Sequence, residues 1–305
     1  MGTGSTTRIY RSWTRQWRVE PLLEEVSQSG RKLMWIGNKN AEKVVFYVHG
    51  GGFMLPISDY MLIFGCLFNA NTPEEREEKS LPSSQWSILS TLVPSQRNSR
   101  KSPLHYHILN TSCISPSKLH VAGDSAGANL VLQLISNTLP VDEVPPSPLT
   151  PAQPVSGILL ISPWLSLDQP TPSYTQNDAT DFLAPATLTG YGVKYLAGVR
   201  DSHVPYVKVL SAGKQWFDGI DELTDRILVT VGGAECLLDD GIGVYDEIKA
   251  SVLRGERRVD VEVDVEDGGV HEDMMVDCGA FGKNLTAVGE KIVVWLMGSR
   301  GYGVL

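Results

Sequence analysis

The sequence predicts an α/β chain with a mostly parallel central sheet and helices on both of its faces. Three observations lead there. Short runs rich in β-branched and aromatic residues recur at Lys43–Val48, Gly157–Ile161 and Arg226–Val231. Segments long enough for helices separate several of these runs, and strands alternating with helices build parallel sheets. Each run ends in a Gly- or Ser-containing loop, and in such sheets the loops at the carboxyl edge collect the ligand sites.

The 305 residues are read as one domain with an elaboration. A hydrophobic content of 42% is ample for a core. The net charge of −9 argues against nucleic acid as a partner, because phosphate binding needs a basic face. No apolar run approaches the length of a membrane span, and Met1–Glu20 is too polar for a secretory core. Cys66, Cys113, Cys236 and Cys278 form no close pair, which predicts reduced thiols and a cytoplasmic location.

In chain order, Ile9, Trp13, Trp17, Leu22 and Leu23 fall at roughly helical spacing, with Pro21 interrupting, and predict an amphipathic segment packed on the rest. Lys43–Val48 reads as a buried strand and runs into His49-Gly50-Gly51-Gly52-Phe53. Residues 71–103 are polar and charged at both ends, with Trp86–Ser90 as a strand inside an exposed loop. Leu119–Ala122 is a short strand, followed by Gly123-Asp124-Ser125-Ala126-Gly127 and a helical run from Asn129 to Ile135. Leu139–Pro154 is a Pro-rich surface loop. The stretch from about 164 to 210 reads as irregular, and its length marks a lid or cap. Arg226–Val231 leads through Gly232-Gly233 to Glu235 and a helix at roughly 240–254. Val259–Val265 alternates strictly and predicts a half-exposed edge strand. A turn at Gly268-Gly269 then delivers His271, and a final helix runs to about Met297.

The chemistry centres on Ser125. In G-x-S-x-G at a strand-to-helix turn, the flanking glycines remove Cβ atoms that would clash in the bend, and the serine hydroxyl stands clear of the backbone. A serine is a poor nucleophile at neutral pH and needs an imidazole base held by an acid. Of six histidines, His120 lies inside a strand and reads as a core or edge residue, His49 orients the glycine loop, His105 and His107 sit in the poorly patterned region, and His203 lies in the cap. His271, in the loop after the last strand, is the candidate base. Glu235 is the candidate acid, ahead of Asp239 and Asp240, whose place at a helix start suits capping. The N–H groups of Gly51, Gly52 and Ala126 are the candidate oxyanion hole.

Together, His49-Gly50-Gly51-Gly52-Phe53, Gly123-Asp124-Ser125-Ala126-Gly127, Ile161-Ser162-Pro163-Trp164, Glu235-Cys236-Leu237-Leu238-Asp239 and His271 resemble the hormone-sensitive-lipase-like carboxylesterases of the α/β-hydrolase fold, most of all fungal esterases of secondary metabolism. Glu235 falls where that group usually has Asp. The resemblance implies a single α/β-hydrolase domain, with residues 1–30 and about 164–210 as cap. It further implies hydrolysis of small to medium esters, short acyl groups among them, through an acyl-enzyme. No metal or cofactor is then expected, and a monomer or homodimer is. An amidase such as an arylformamidase shares the constellation, and a ligand-binding protein shares the fold. Two departures stand out. Ser90-Thr91-Leu92-Val93-Pro94 lacks the group's Tyr, and Gly269-Val270-His271-Glu272-Asp273 sets carboxylates beside the base. Those carboxylates predict a raised His271 pKa.

Overall fold

The computed structural model describes residues 5–26, 31–70, 86–91, 114–139, 153–281 and 285–298. Its centre is one eight-stranded sheet of β1 (Leu22–Val26), β2 (Arg31–Gly37), β3 (Lys43–Val48), β4 (Trp86–Thr91), β5 (Leu119–Asp124), β6 (Gly157–Ile161), β7 (Arg226–Gly232) and β8 (Asp260–Glu266), in the order β1-β2-β4-β3-β5-β6-β7-β8. From β4 to β8 every neighbouring pair is parallel, while β1 and β2 form an antiparallel edge. The parallel sheet read from the sequence is therefore present, and Trp86–Ser90 is one of its strands. The rest of the 71–103 region, with His105 and His107 beyond it, lies outside the described residues.

The central strands read as continuous apolar runs because both faces are covered. Val44, Phe46 and Val48 point to one side of β3, with the helices Ala126–Ser136 and Leu238–Arg254. Val45 and Tyr47 point to the other, with Thr6–Trp17, Asp59–Ala70, Asp273–Phe281 and Ala287–Met297. By contrast β8 pairs only with β7, and its burial alternates from Asp260 to Val263, then slips phase at Asp264 and leaves Val265 exposed.

Two readings need correction. Leu22 and Leu23 do not extend the N-terminal helix but begin β1. The helix stops where Arg18 turns left-handed (φ 55), and Pro21 cannot continue it. The Tyr10 hydroxyl then clamps helix to sheet, accepting from Leu22 N at 3.1 Å and donating to the Trp35 carbonyl at 2.7 Å. Residues 164–210, read as irregular, contain the helices Pro172–Gln176, Pro185–Leu196 and Val204–Val207. Each has proline in its first turn, where the missing N–H costs nothing. Trp164, Leu167, Tyr174, Leu188 and Val207 gather these helices into an apolar cluster with Ala126, Cys236 and Leu237, so this segment rests directly on the elbow and on the loop after β7. Among the described residues no helix is long and apolar enough to cross a membrane.

Candidate active site

Because β3 and β5 to β8 run parallel, the loops that follow them emerge along one sheet edge. They carry His49–Gly52, Ser125, Ser162, Glu235 and His271 respectively. His120, by contrast, lies inside β5, packed edge-on to Trp295. Burial, then the nearby Arg226 charge, push its pKa down to about 3, so it is a neutral core histidine as read.

Ser125 sits at φ 51, ψ −120, a conformation that a residue with a Cβ rarely adopts. Its N–H donates to the Ile161 carbonyl at 2.9 Å, and its carbonyl accepts from Trp164 N at 3.1 Å. The flanking glycines provide close approach. A Cβ at Gly123 would lie 2.7 Å from the Gly127 backbone, and one at Gly127 would lie 2.0 Å from the Val48 carbonyl oxygen.

The glycine loop turns through Gly51 (φ 98) and Gly52 (φ 59), and Met54 N and Leu55 N close it by donating to the Gly51 carbonyl at 3.0 and 2.8 Å. Among the described residues no acceptor takes the N–H of Gly51, Gly52 or Ala126. His49 Nδ1 donates to the Gly50 carbonyl at 2.8 Å, which suits the orienting role read for it. Asp124, to which the sequence reading assigned nothing, latches this loop to the elbow. It accepts from Gly50 N at 2.9 Å and from the Tyr47 hydroxyl at 2.5 Å.

The His271 ring is buried between two carboxylates. Glu235 Oε2 lies 3.8 Å from Nδ1, and Glu272 Oε1 lies 3.2 Å from Nε2. Glu235 is fully buried and accepts from Ser162 Oγ at 2.8 Å. Burial pushes its carboxyl above the ordinary range, against the opposing pull of His271. For His271, burial works against the charged ring, but Glu272 foremost and then Glu235 outweigh it and hold the imidazole well above its usual value. Of the two carboxylates that the sequence sets beside the ring, Glu272 acts as read, whereas Asp273 accepts from Val270 N at 3.2 Å and the second contribution comes from Glu235. Three buried atoms here, His271 Nδ1, Glu235 Oε1 and Glu272 Oε1, have no hydrogen-bond partner among the described residues. Buried unsatisfied polar atoms are rare in folds, and their concentration in one place marks a site built for something other than stability.

The competing acids are engaged elsewhere. Asp239 accepts from Ser173 N at 2.8 Å. Asp240 accepts from Leu165 N, Ser166 N and Ser166 Oγ at 2.8, 2.9 and 2.9 Å, and burial lifts its pKa to about 6. Asp240→Ala would leave three buried donors without an acceptor and is expected to destabilise the fold by about 3 kcal/mol or more, measured by urea unfolding.

Cap residues also grip the two loops that carry the candidate acid and base. Ser173 Oγ donates to the Cys236 carbonyl at 2.6 Å, Asn177 Nδ2 to that of Glu235 at 2.7 Å, and Thr180 Oγ1 to that of Ala234 at 3.0 Å. Asp181 accepts from Cys236 N at 2.7 Å and from His271 N at 3.4 Å. The three- and four-residue spacing of Ser173, Asn177, Thr180 and Asp181 is the one trace of this contact in the sequence. Phe182 follows, exposed, with its ring 6.0 Å from that of His271. Among the described residues no group of three or more His, Cys, Asp and Glu is placed to hold a metal ion. A serine on a strained turn, an imidazole flanked by carboxylates and free backbone N–H groups on one sheet edge are the parts that acyl transfer uses.

Comparison with known proteins agrees with this architecture. An esterase of Acinetobacter venetianus is 28% identical over 214 residues, covering 66% of this chain and 59% of that protein, so the chain spans under two thirds of the curated relative's length. Among solved structures, an esterase from the bacterial hormone-sensitive lipase family superposes with a TM-score of 0.67 at 21% identity, over 99% of this chain and 94% of that one. The hormone-sensitive-lipase homologue EstE7 from a metagenome library does so with a TM-score of 0.67 at 18% identity, over 97% and 93%. At such identities the likeness is one of fold. The family model of the alpha/beta hydrolase fold matches residues 96–275, more than half of the chain. With a parallel sheet, a serine turn after β5 and that match, the chain belongs to the alpha/beta hydrolase fold family.

Proposed function

We propose that this protein is a serine carboxylesterase that acts on small to medium esters with short acyl groups. Ser125 Oγ attacks the ester carbonyl while His271 takes its proton and later returns it to the alkoxide leaving group. Glu235 orients the imidazole through Nδ1, and the N–H groups of Gly51, Gly52 and Ala126 receive the tetrahedral oxyanion. Water then repeats the cycle on the acyl-enzyme. Residues 164–210 roof the site, while the N-terminal helix, which the sequence reading assigned to the cap, packs on one face of the sheet.

One observation carries this reading. Ser125 is forced into a conformation that only its neighbours can maintain, at the sheet edge to which Glu235 and His271 also belong. The printed name of the Acinetobacter venetianus relative, an esterase, supports it as well. The test is labelling with a fluorophosphonate probe, which reacts only with an activated serine. Labelling that disappears in Ser125→Ala supports the proposal, and folded protein that takes no label overturns it. Paired ester and formamide assays then separate the esterase from an amidase with the same constellation.

A further inference from the structure

The nitrogen that the proposed base must offer to Ser125 faces a buried carboxylate. With Glu235 on the Nδ1 side of His271, Nε2 is the proton-accepting atom, and it lies 3.2 Å from Glu272 Oε1. Among the described residues Ser125 Oγ makes no hydrogen bond.

Glu272 is held in this position from both ends. Its backbone is left-handed (φ 53), an uncommon state for a long side chain, and its carbonyl accepts from Met275 N and Val276 N at 2.9 and 3.2 Å as the next helix begins. At the other end its carboxylate meets the latch residue Asp124. Charged and titratable groups reach this pair from every packed element. Tyr47 and His49 come from the end of β3, Asp124 from β5 and Glu235 from the loop after β7. Asp264 and Glu266 of β8 and the neighbouring Asp273 line a cavity of about 10 Å³ beside Glu272, and Asp181 accepts from the His271 backbone.

Burial, then the Glu272 charge, hold the Asp124 carboxyl well above the ordinary range. Glu272 itself is held low, with the His271 charge overcoming the effect of burial. Of the two carboxyls, Asp124 is thus the one that favours its proton, and the Glu272 charge in turn favours the protonated His271 ring.

We propose that Glu272 is a positioning residue that competes with Ser125 for Nε2 of His271 and so sets an alkaline working range for the enzyme. This rests on the reading of His271 as the base. Ser125 can give up its proton only to an unprotonated Nε2. A carboxylate at 3.2 Å stabilises the imidazolium, so Nε2 keeps its proton to a higher pH than an ordinary histidine would. The acid limb of kcat/KM moves up with it, and removing the Glu272 charge moves it back down. Because Asp124 also holds Gly50 N, the same carboxyl pair ties the base to the glycine loop.

The test uses Glu272→Gln, which keeps the shape and removes the charge. Glu272→Asn, too short to reach the ring but tolerant of positive φ, serves as a second variant should Gln disturb folding. Two quantities are measured in each, the acid limb of kcat/KM and the titration of His271 by NMR of 15N-labelled histidine, its signal assigned by its loss in His271→Asn. Both midpoints are expected to fall by about 1–3 pH units, raising kcat/KM on the acid limb about tenfold or more. If neither moves, the proposal is overturned and the esterase reading stands. If the NMR midpoint falls while the kinetic limb stays, His271 is not the base, and the proposal fails along with that reading.

Discussion

Alanine at Ser125 or at His271 is expected to lower kcat by roughly a million-fold, and alanine at Glu235 by roughly ten-thousand-fold. The ranking follows from the parts played. Without the hydroxyl there is no nucleophile, and without the imidazole its proton has no acceptor of suitable pKa. In the proposed mechanism Glu235 acts at one remove, by holding the ring and stabilising its charge. In this structure that hold is loose, at 3.8 Å, and the neighbouring Glu272 also favours the imidazolium. The Glu235→Ala deficit should therefore be the smallest of the three. The double variant Ser125→Ala/His271→Ala should be no worse than either single one, because the two groups act as a unit. Single-turnover kinetics with an activated acetyl ester measures all four. Equal losses in Glu235→Ala and Asp239→Ala would move the acid role away from Glu235. The recorded contacts argue against that outcome, because the Asp239 carboxylate is engaged by Ser173 N in the cap.

The largest structural effect is expected at Gly127. It is a helical position, so alanine is conformationally acceptable there, and helix propensity alone predicts a gain of about 1 kcal/mol. The tertiary contact reverses the sign. A Cβ at Gly127 would sit 2.0 Å from the Val48 carbonyl oxygen and 2.7 Å from the His49 carbonyl carbon, backbone atoms at the end of a central strand and in the loop it leads into. Gly127→Ala should therefore cost about 3 kcal/mol or more. It should also push the elbow away from the glycine loop, lowering activity in the protein that still folds. Gly190→Ala is the control. It too is helical, but a Cβ there meets nothing within 4 Å, so stability should rise by about 0.5–1 kcal/mol. Urea unfolding of the two variants beside the parent separates propensity from packing.

Much of the site is legible in the sequence because its parts are local. A glycine turn after a strand, a serine elbow between strand and helix, and a histidine after the last strand each declare themselves within a few residues. The covering of the sheet on both faces is legible too, since β3, β6 and β7 are apolar without alternation. Less accessible are the elements whose identity is settled by partners. Leu22 and Leu23 fit a helix until the Tyr10 hydroxyl and the pairing of β1 with β2 claim them for the sheet. The cap's helices, two of them only four or five residues long, carry proline in their first turns and gather on the cluster around Trp164 and Tyr174.

The sequence by itself determined the chain order of the candidate nucleophile, acid and base and the sheet edge to which each candidate belongs. Only the tertiary structure decided what each side chain faces. The contest among Glu235, Asp239 and Asp240 is one of three acids within six residues, and no local pattern can rank them by distance to a histidine more than thirty positions away. The fold ranks them by giving Asp240 to Leu165 and Ser166, Asp239 to Ser173, and leaving Glu235 beside Nδ1. It also places Glu272 Oε1 3.2 Å from Nε2 of its sequence neighbour His271. The physical reason is the same in each case. Backbone pattern is set by neighbours within a turn or a strand, whereas the direction of a buried carboxylate is set by donors and charges that packing brings together from distant parts of the chain.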